Sequence, residues 1–219
     1  GDGAALQRLG IASVAHLPAV GQHLQDHLDV ILGHHIPGDP HLVGISPTGA
    51  RSLWQAVRRW RQERRGMCTT NFAEVTGFMR LDPAAPMPEI QYEFVVVLAM
   101  EHGRKTYARH GLSTHVLLLH PKSRGQVQLA SPRWQDDPLI DFRYFSHPDD
   151  LATMVKGVRR VLEVFDTPTL RARVKADLRT AHCRTDEDFA QWCRSVAGTN
   201  YHPVGSCRMG PDAADSVVD

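Results

Sequence analysis

Five strand-like stretches lie between residues 75 and 142, and no helical pattern separates any of them from the next. Residues 75–80 form the first. In the second, Ile90, Tyr92, Phe94 and Val96 alternate with Gln91, Glu93 and Val95, the period of two that sends successive side chains to opposite faces of a sheet. The end of that stretch turns wholly apolar, as a strand does where it is buried on both faces. Residues 113–120 and 126–130 flank Pro121-Lys122-Ser123-Arg124-Gly125, which reads as a hairpin with a glycine-containing loop. Residues 139–142 add the last. Strands that follow strands, with no helix between each pair, predict a largely antiparallel sheet.

One more strand candidate, residues 30–36, is closed by Pro37-Gly38 ahead of this block, and helical patterns surround it. Asp2 can cap a short helix carrying Leu6 and Leu9, which Gly10 ends while Ile11 packs back. Residues 51–65 repeat Leu53, Trp54 and Val57 on one side and arginines on the other. The run Arg58-Arg59-Trp60-Arg61-Gln62-Glu63-Arg64-Arg65 invites a nucleic-acid or membrane reading. A solvated face with arginine stems lying over an apolar patch is preferred, because the whole chain carries a net charge of only +1. Ser146-His147-Pro148-Asp149 opens a helix with proline in its first turn, and Leu151, Met154, Val155, Val158, Leu162 and Phe165 recur along it up to Thr167-Pro168. A last helix starts at Thr185-Asp186-Glu187-Asp188, with acids where the helix dipole favours them. Its apolar face is Phe189, Trp192, Cys193 and Val196, and Gly198 is expected to stop it.

Composition narrows the classes. A hydrophobic fraction of 42% with 22% charged residues is that of an ordinary globular chain long enough to bury a core. The charge gives no field to draw in nucleic acid. No apolar run approaches the roughly 20 residues that span a bilayer, and no secretion signal is visible. The four cysteines (Cys68, Cys183, Cys193, Cys207) make no C-x-x-C pair and read as free thiols. Thirteen histidines suggest metal, but H-E-x-x-H is absent and no ligand set has suitable spacing, so no metal site is assigned. There is neither a G-x-S-x-G elbow nor a G-x-G-x-x-G dinucleotide fingerprint.

The segment Gly198-Thr199-Asn200-Tyr201-His202-Pro203-Val204-Gly205-Ser206-Cys207-Arg208-Met209-Gly210 remains. It holds a histidine between an aromatic residue and a proline, directly after a helix, and a ring that titrates near neutrality on rigid backbone is what a general base needs. From His202 onward the segment resembles the C-terminal signature of the glucose–methanol–choline (GMC) flavin oxidoreductases, H-P-x-G-T-C-x-M-G, with Ser206 where threonine is usual. A second family motif, G-V-G-x-N-L-Q-D-H, is similar to Ala19-Val20-Gly21-Gln22-His23-Leu24-Gln25-Asp26-His27, with His23 in place of asparagine. Glu74, just before Gly77-Phe78-Met79-Arg80, lies in a stretch that looks like the E-A-G-G-F of choline- and alcohol-oxidising members.

The resemblance implies an α+β fold: a largely antiparallel sheet flanked by helices, as in the GMC substrate domain, plus incomplete pieces of an FAD-binding domain. Residues 1–29 would be a piece of the FAD-binding domain with a crossover loop, 30–197 the substrate domain, and 198–219 a second flavin-domain piece carrying the catalytic histidine. The implied reaction is oxidation of a primary alcohol, choline-like or aliphatic, to an aldehyde. His202 would take the hydroxyl proton while hydride passes to flavin N5, and quinone or oxygen would then accept the electrons. Gln25, Asp26, His27, Pro203 and Val204 would lie against FAD, and Tyr201 and Glu74 against the substrate. For Gln25, Asp26 and His27, fixing the loop between domains is the plainer role. The family's second catalytic His or Asn would fall beyond Asp219 and the nucleotide fingerprint before Gly1. The chain alone is therefore expected neither to retain FAD nor to turn over alcohols, and a cytoplasmic location is expected, with membrane association open for a complete protein. The reading also requires the His202 ring to face a cleft able to admit a flavin and not bulk solvent. The alternative is a non-catalytic binding or accessory module that keeps the substrate-domain fold.

Overall fold

In the computed structural model, which describes residues 1–100, 105–212 and 214–219, the chain runs through α1 (Gly3–Arg8), β1 (Leu28–His35), α2 (Pro47–Glu63) and β2 (Ala73–Met79). It continues through β3 (Ile90–Val95), β4 (Ala99–Met100), β5 (Lys105–Thr106), β6 (Gly111–Leu118), β7 (Gln126–Gln128) and β8 (Leu139–Asp141). It closes with α3 (Pro148–Phe165), α4 (Pro168–Arg171), β9 (Ala176–Asp177), α5 (Asp186–Val196) and β10 (Gly198–Thr199). Two compact units result. One gathers Gly1–Leu28, His120–Asp150 and Thr199–Asp219; the other contains Asp29–Leu119 and Leu151–Gly198. The stretch 120–150, which the sequence reading left inside residues 30–197, thus belongs with the two ends of the chain.

The larger unit holds a mixed α/β architecture with an antiparallel sheet, as expected. Its long strands run in the order β1-β6-β3-β2, and β9 adds to β1. β2 with β3, β3 with β6 and β9 with β1 all pair antiparallel, in registers such as Gly77↔Tyr92, Tyr92↔Val116 and His34↔Asp177. The alternation in residues 90–95 has a physical outcome. Ile90 is fully buried and meets α3, where Gly157 lacks the β-carbon that would stand 2.8 Å from the Ile90 side chain. Glycine costs a helix about 1 kcal/mol against alanine, and here it permits the close helix–sheet approach. Met154, Val155, Val158, Val161 and Phe165 form the buried stripe of α3, four of them on the list read from spacing. α5 begins with a complete capping box between Thr185 and Asp188 and buries Phe189, Trp192 and Cys193, as its periodicity predicts. Burial pushes the Cys193 thiol up to about 12, which keeps it protonated and inert.

Three expectations need correction. The hairpin across residues 121–125 does not form. β6 already has β1 on one side and β3 on the other, and β7 pairs instead with β8, Gln126↔Asp141 through Gln128↔Leu139. The intervening loop is pinned by the buried carboxylate of Asp150, which accepts from the peptide N–H groups of Lys122 and Ser123, both at 2.8 Å, and from the Ser123 hydroxyl. A loop whose donors are captured this way cannot fold back as a two-strand turn. The helix read at 51–65 starts earlier, where the Ser46 hydroxyl accepts from Gly49 and Pro47 occupies the first turn. α5 ends at Val196, two residues before the glycine expected to stop it.

Two histidines of the larger unit oppose each other in their response to acid. His34 is 2% exposed and stacked on Phe165 at 3.6 Å between ring centroids. Burial lowers its pKa from 6.5 to about 4, partly offset by Asp177. For His115, burial acts in the same direction, but a 2.6 Å hydrogen bond to buried Asp29 and the charges of Asp29 and Glu93 outweigh it and leave the pKa raised. The unfolded chain protonates His34 near 6.5 and the folded one only near 4, so folding is disfavoured by acid across that window. His115 stabilises below about 6.5 and loses that contribution as pH rises through its raised value. We therefore expect denaturant stability to fall by about 3 kcal/mol between pH 7 and pH 4 from His34 alone. A His34→Leu variant should show a shallower slope over that interval; an equal slope would mean that His34 is not the group responsible.

Candidate active site

The smaller unit is built from three segments distant in sequence that hydrogen-bond along their backbones. Residues 21–25 lie in the middle. On one side Gly21 donates to the Ser206 carbonyl at 2.7 Å, and Gln25 and Val204 exchange two bonds, both of 2.9 Å. On the other side Leu24 and Gly125 exchange bonds of 3.0 and 2.7 Å, and Val127 donates to Gly21 at 2.6 Å. The two sequence motifs, one at each end of the chain, are therefore neighbours in one ladder.

The glycines of the motifs are explained by that closeness. Gly205 has a φ of +95°, and a β-carbon there would stand 2.3 Å from the His23 carbonyl oxygen. Gly21, with a φ of +82°, would meet the Val127 carbonyl oxygen at 2.2 Å. His23 itself has a φ of 60°, a left-handed conformation that asparagine adopts far more readily than most residues. Its imidazole Nε2 lies 2.7 Å from Asp215, which also pairs with Arg208 at 2.6 Å. The histidine found at the asparagine position is thereby tied to the last residues of the same unit.

His202 sits on the loop that leaves β10. Asn200 donates to the His27 carbonyl at 3.1 Å. Tyr201 takes a left-handed φ of 61°, and its N–H is accepted by the Thr199 hydroxyl at 2.8 Å. The peptide N–H of His202 donates to Asp26 Oδ1 at 3.0 Å, and the other oxygen of that carboxylate accepts from the Tyr144 hydroxyl at 2.9 Å. Asp26 is 3% exposed. It holds the His202 backbone from inside. Tyr144 carries no motif and sequence reading missed it; its ring stacks on Phe142 at 4.9 Å.

The His202 ring is held from one side. Its Nδ1 lies 3.2 Å from Nδ1 of His27, with the rings edge-on at 5.2 Å between centroids. A hydrogen bond between two such nitrogens requires that one of them carry the proton. With the proton on His202 Nδ1, its Nε2 keeps a lone pair and can accept a proton; with the proton on His27, His202 Nε2 is a donor. The position of the proton between the two rings therefore decides whether His202 Nε2 accepts or donates. The ring is exposed, as are Tyr201, Pro203 and Val204. The described residues of this unit supply an open shelf, and the closed cleft that the base reading requires is not made by them.

Of the residues singled out by sequence, His202, Gln25, Asp26, His27, Pro203, Val204 and Tyr201 come together on this unit. Glu74 does not join them there. It belongs to the other unit, exposed beside a bulge in β2, and accepts a hydrogen bond from Thr70. Among the described residues, no three His, Cys, Asp or Glu side chains gather into a set that could hold a metal ion.

Two substitutions check this geometry. Gly205→Ala puts a side chain at a positive φ against the His23 carbonyl and should cost about 2 kcal/mol or more. Tyr144→Phe leaves a buried carboxylate oxygen short of its donor and should cost about 1–3 kcal/mol. Both are read as shifts of the denaturant midpoint, and an unchanged midpoint would contradict the contact concerned.

Comparison with known proteins agrees with the site. Residues 121–219 match the family described as GMC oxidoreductase. Over its full length the chain is 38% identical to an alcohol dehydrogenase (acceptor) of Pseudomonas putida and 34% identical to an oxygen-dependent choline dehydrogenase of Sinorhizobium medicae. It spans 40% of the length of each. A formate oxidase of Aspergillus oryzae superposes with a TM-score of 0.85 at 22% identity, covering all of this chain and 43% of that one. A pyridoxine 4-oxidase of Mesorbium loti gives 0.76 at 23% identity, covering all of this chain and 39% of the other. With both motifs laid in one ladder around His202 and the family match running through the second of them, the chain is similar to the GMC oxidoreductases over residues 121–219.

Proposed function

We infer that this chain contributes the proton-accepting side of an FAD-dependent oxidation of a primary alcohol, choline-like or aliphatic, to an aldehyde. The observation that carries the reading is the coupled pair His202–His27, with the His202 peptide clamped by a buried carboxylate. A base gains from being held in one place, because a fixed geometry turns proton transfer into an effectively intramolecular step. Asp26 fixes the backbone and His27 holds the ring from one side, so the position of His202 is constrained at both. In the base tautomer its Nε2 accepts the hydroxyl proton of the alcohol. FAD, when bound, supplies the acceptor for the hydride leaving the carbinol carbon.

The chemistry of the shelf suits a flat heteroaromatic ring. Pro203 has no N–H, and the N–H groups of Tyr201, His202 and Val204 are all engaged within the unit. Residues 201–204 thus offer no free N–H donor there, and the side chains of Tyr201, Pro203 and Val204 are exposed, Val204 and Tyr201 by about three-fifths. Pro203 and Val204 would hold the ring by van der Waals contact, and Tyr201 would flank the substrate. Gln25, Asp26 and His27 would support the shelf from behind. Glu74 would select for a cationic alcohol only if its carboxylate were free of Thr70.

An exposed imidazole competes with water for every proton, so the reading assigns closure of the site to further protein. The relatives, of which this chain spans about two fifths, have the length for it. The exposure of His202 favours a second reading, a binding module without turnover, and the same experiment separates the two. In a longer protein that includes this chain, His202→Ala should slow flavin reduction by primary alcohols about 10²–10⁴-fold at unchanged flavin content. Undiminished reduction in the variant would refute the base assignment. The 219-residue chain alone should purify colourless and inactive towards alcohols; a flavin absorbance band would contradict this.

A further inference from the structure

We propose that α2 is an interfacial helix that seats the larger unit on an anionic lipid surface. A helix of 17 residues, about 25 Å long, ordinarily buries a stripe of its side chains. Among the described residues of α2, Ala56 alone is buried. Leu53 and Trp54 are 60% and 62% exposed, Trp60 is 37% exposed, and Ile45, just before the cap at Ser46, is 83% exposed. Arginines do stand over the rings of Trp54 and Trp60, as the sequence suggested, yet Leu53 and Trp54 keep more than half of their surface open. The apolar side chains themselves face outward.

Their arrangement has a direction. Leu53 and Trp60 are seven residues apart and share one face, with Trp54 at its flank. Arg58 and Arg61 follow Trp54 by four and seven residues and lie along the same flank. The Arg58 guanidinium stands 5.8 Å from the Trp54 ring and that of Arg64 4.6 Å from the Trp60 ring. Residues 51–65 hold six arginines and a single carboxylate, Glu63, already paired with Arg59 at 3.0 Å. In a chain of net charge +1, this is a strongly local positive charge beside exposed aliphatic and indole groups.

Charge and apolarity together select the partner. Indoles prefer the boundary between water and hydrocarbon, guanidiniums reach back to phosphates, and a large amphipathic asymmetry at low overall hydrophobicity marks a helix that lies in that boundary. A nucleic acid would use the arginines and tryptophans but has no use for Leu53 and Ile45. No helix among the described residues is long and apolar enough to cross a membrane, so the contact is with one surface. The proposal does not involve His202.

The test is co-sedimentation of the chain with vesicles of phosphatidylglycerol or of phosphatidylcholine, at low and high salt. The phosphatidylglycerol vesicles should bind at least tenfold more chain, and high salt should weaken binding. Leu53→Ser/Trp54→Ser and Arg58→Gln/Arg61→Gln should each lower binding about tenfold or more with thermal midpoints little changed. Brominated lipids should quench the tryptophan fluorescence of the unmodified chain, a readout that needs no variant, and Trp54→Phe/Trp60→Phe should remove the quenching. The proposal is overturned by absent binding at low salt, by binding without quenching, or by binding that all variants retain. It is equally overturned if the same residues instead support an RNA complex or a dimer of the chain while vesicles are ignored.

Discussion

One buried carboxylate organises the smaller unit. Asp26 receives the His202 peptide on one oxygen and the Tyr144 hydroxyl on the other, and so ties together segments that begin, interrupt and end the chain. Hydrogen bonds to a charged acceptor out of water are stronger than neutral ones, and a buried carboxylate that lost them would be left with its full desolvation cost. This asymmetry explains how the His202 loop can accommodate a left-handed tyrosine and three exposed neighbours. The strain at Tyr201, of the order of 1 kcal/mol, is offset by bonds that would be costly to break.

The backbone ladder extends the same logic. Residues 21–25 have partners on both edges, and close approach on both is possible only because Gly21, Gly125 and Gly205 have no β-carbon. The site histidine is thus carried by paired backbone, although the sequence around it is a loop by composition. What the unit does not supply is enclosure: His202 is held by contacts behind it and open in front. The larger unit follows a different principle, an antiparallel sheet packed on α3 through Gly157 and Phe165, with charged and titrating groups buried in pairs or stacked on rings.

Local features were legible where the local chain decides them. The caps at Asp2 and Thr185, the apolar stripe of α3, the alternation in β3 and the two motifs around His27 and His202 all rest on residues within a few positions of one another. The hairpin at residues 121–125 was misread because a glycine-containing turn signal is local, while the competing claims on it are not. Asp150 captures the turn's donors from 27 residues away, and β8 takes the edge that β7 would have offered. Tyr144 was invisible for the same reason, as a hydroxyl bonded to a carboxylate 118 residues earlier leaves no periodicity. At α2 the amphipathic pattern was correct, but a pattern cannot say whether its apolar face finds a partner within the chain.

The amino-acid sequence by itself determined the longer strands and helices, that the sheet is largely antiparallel, and that a histidine lies in a family signature. Those follow from backbone propensity, side-chain period and residue identity, all of them short-range. The tertiary structure alone decided that His27 meets His202 ring to ring, that Asp26 faces inward to hold a peptide, and that Leu53 and Trp54 remain more than half exposed. Each depends on which distant segments are brought within a few ångströms, and that is settled by competition among all possible pairings for a limited set of edges, donors and buried volume.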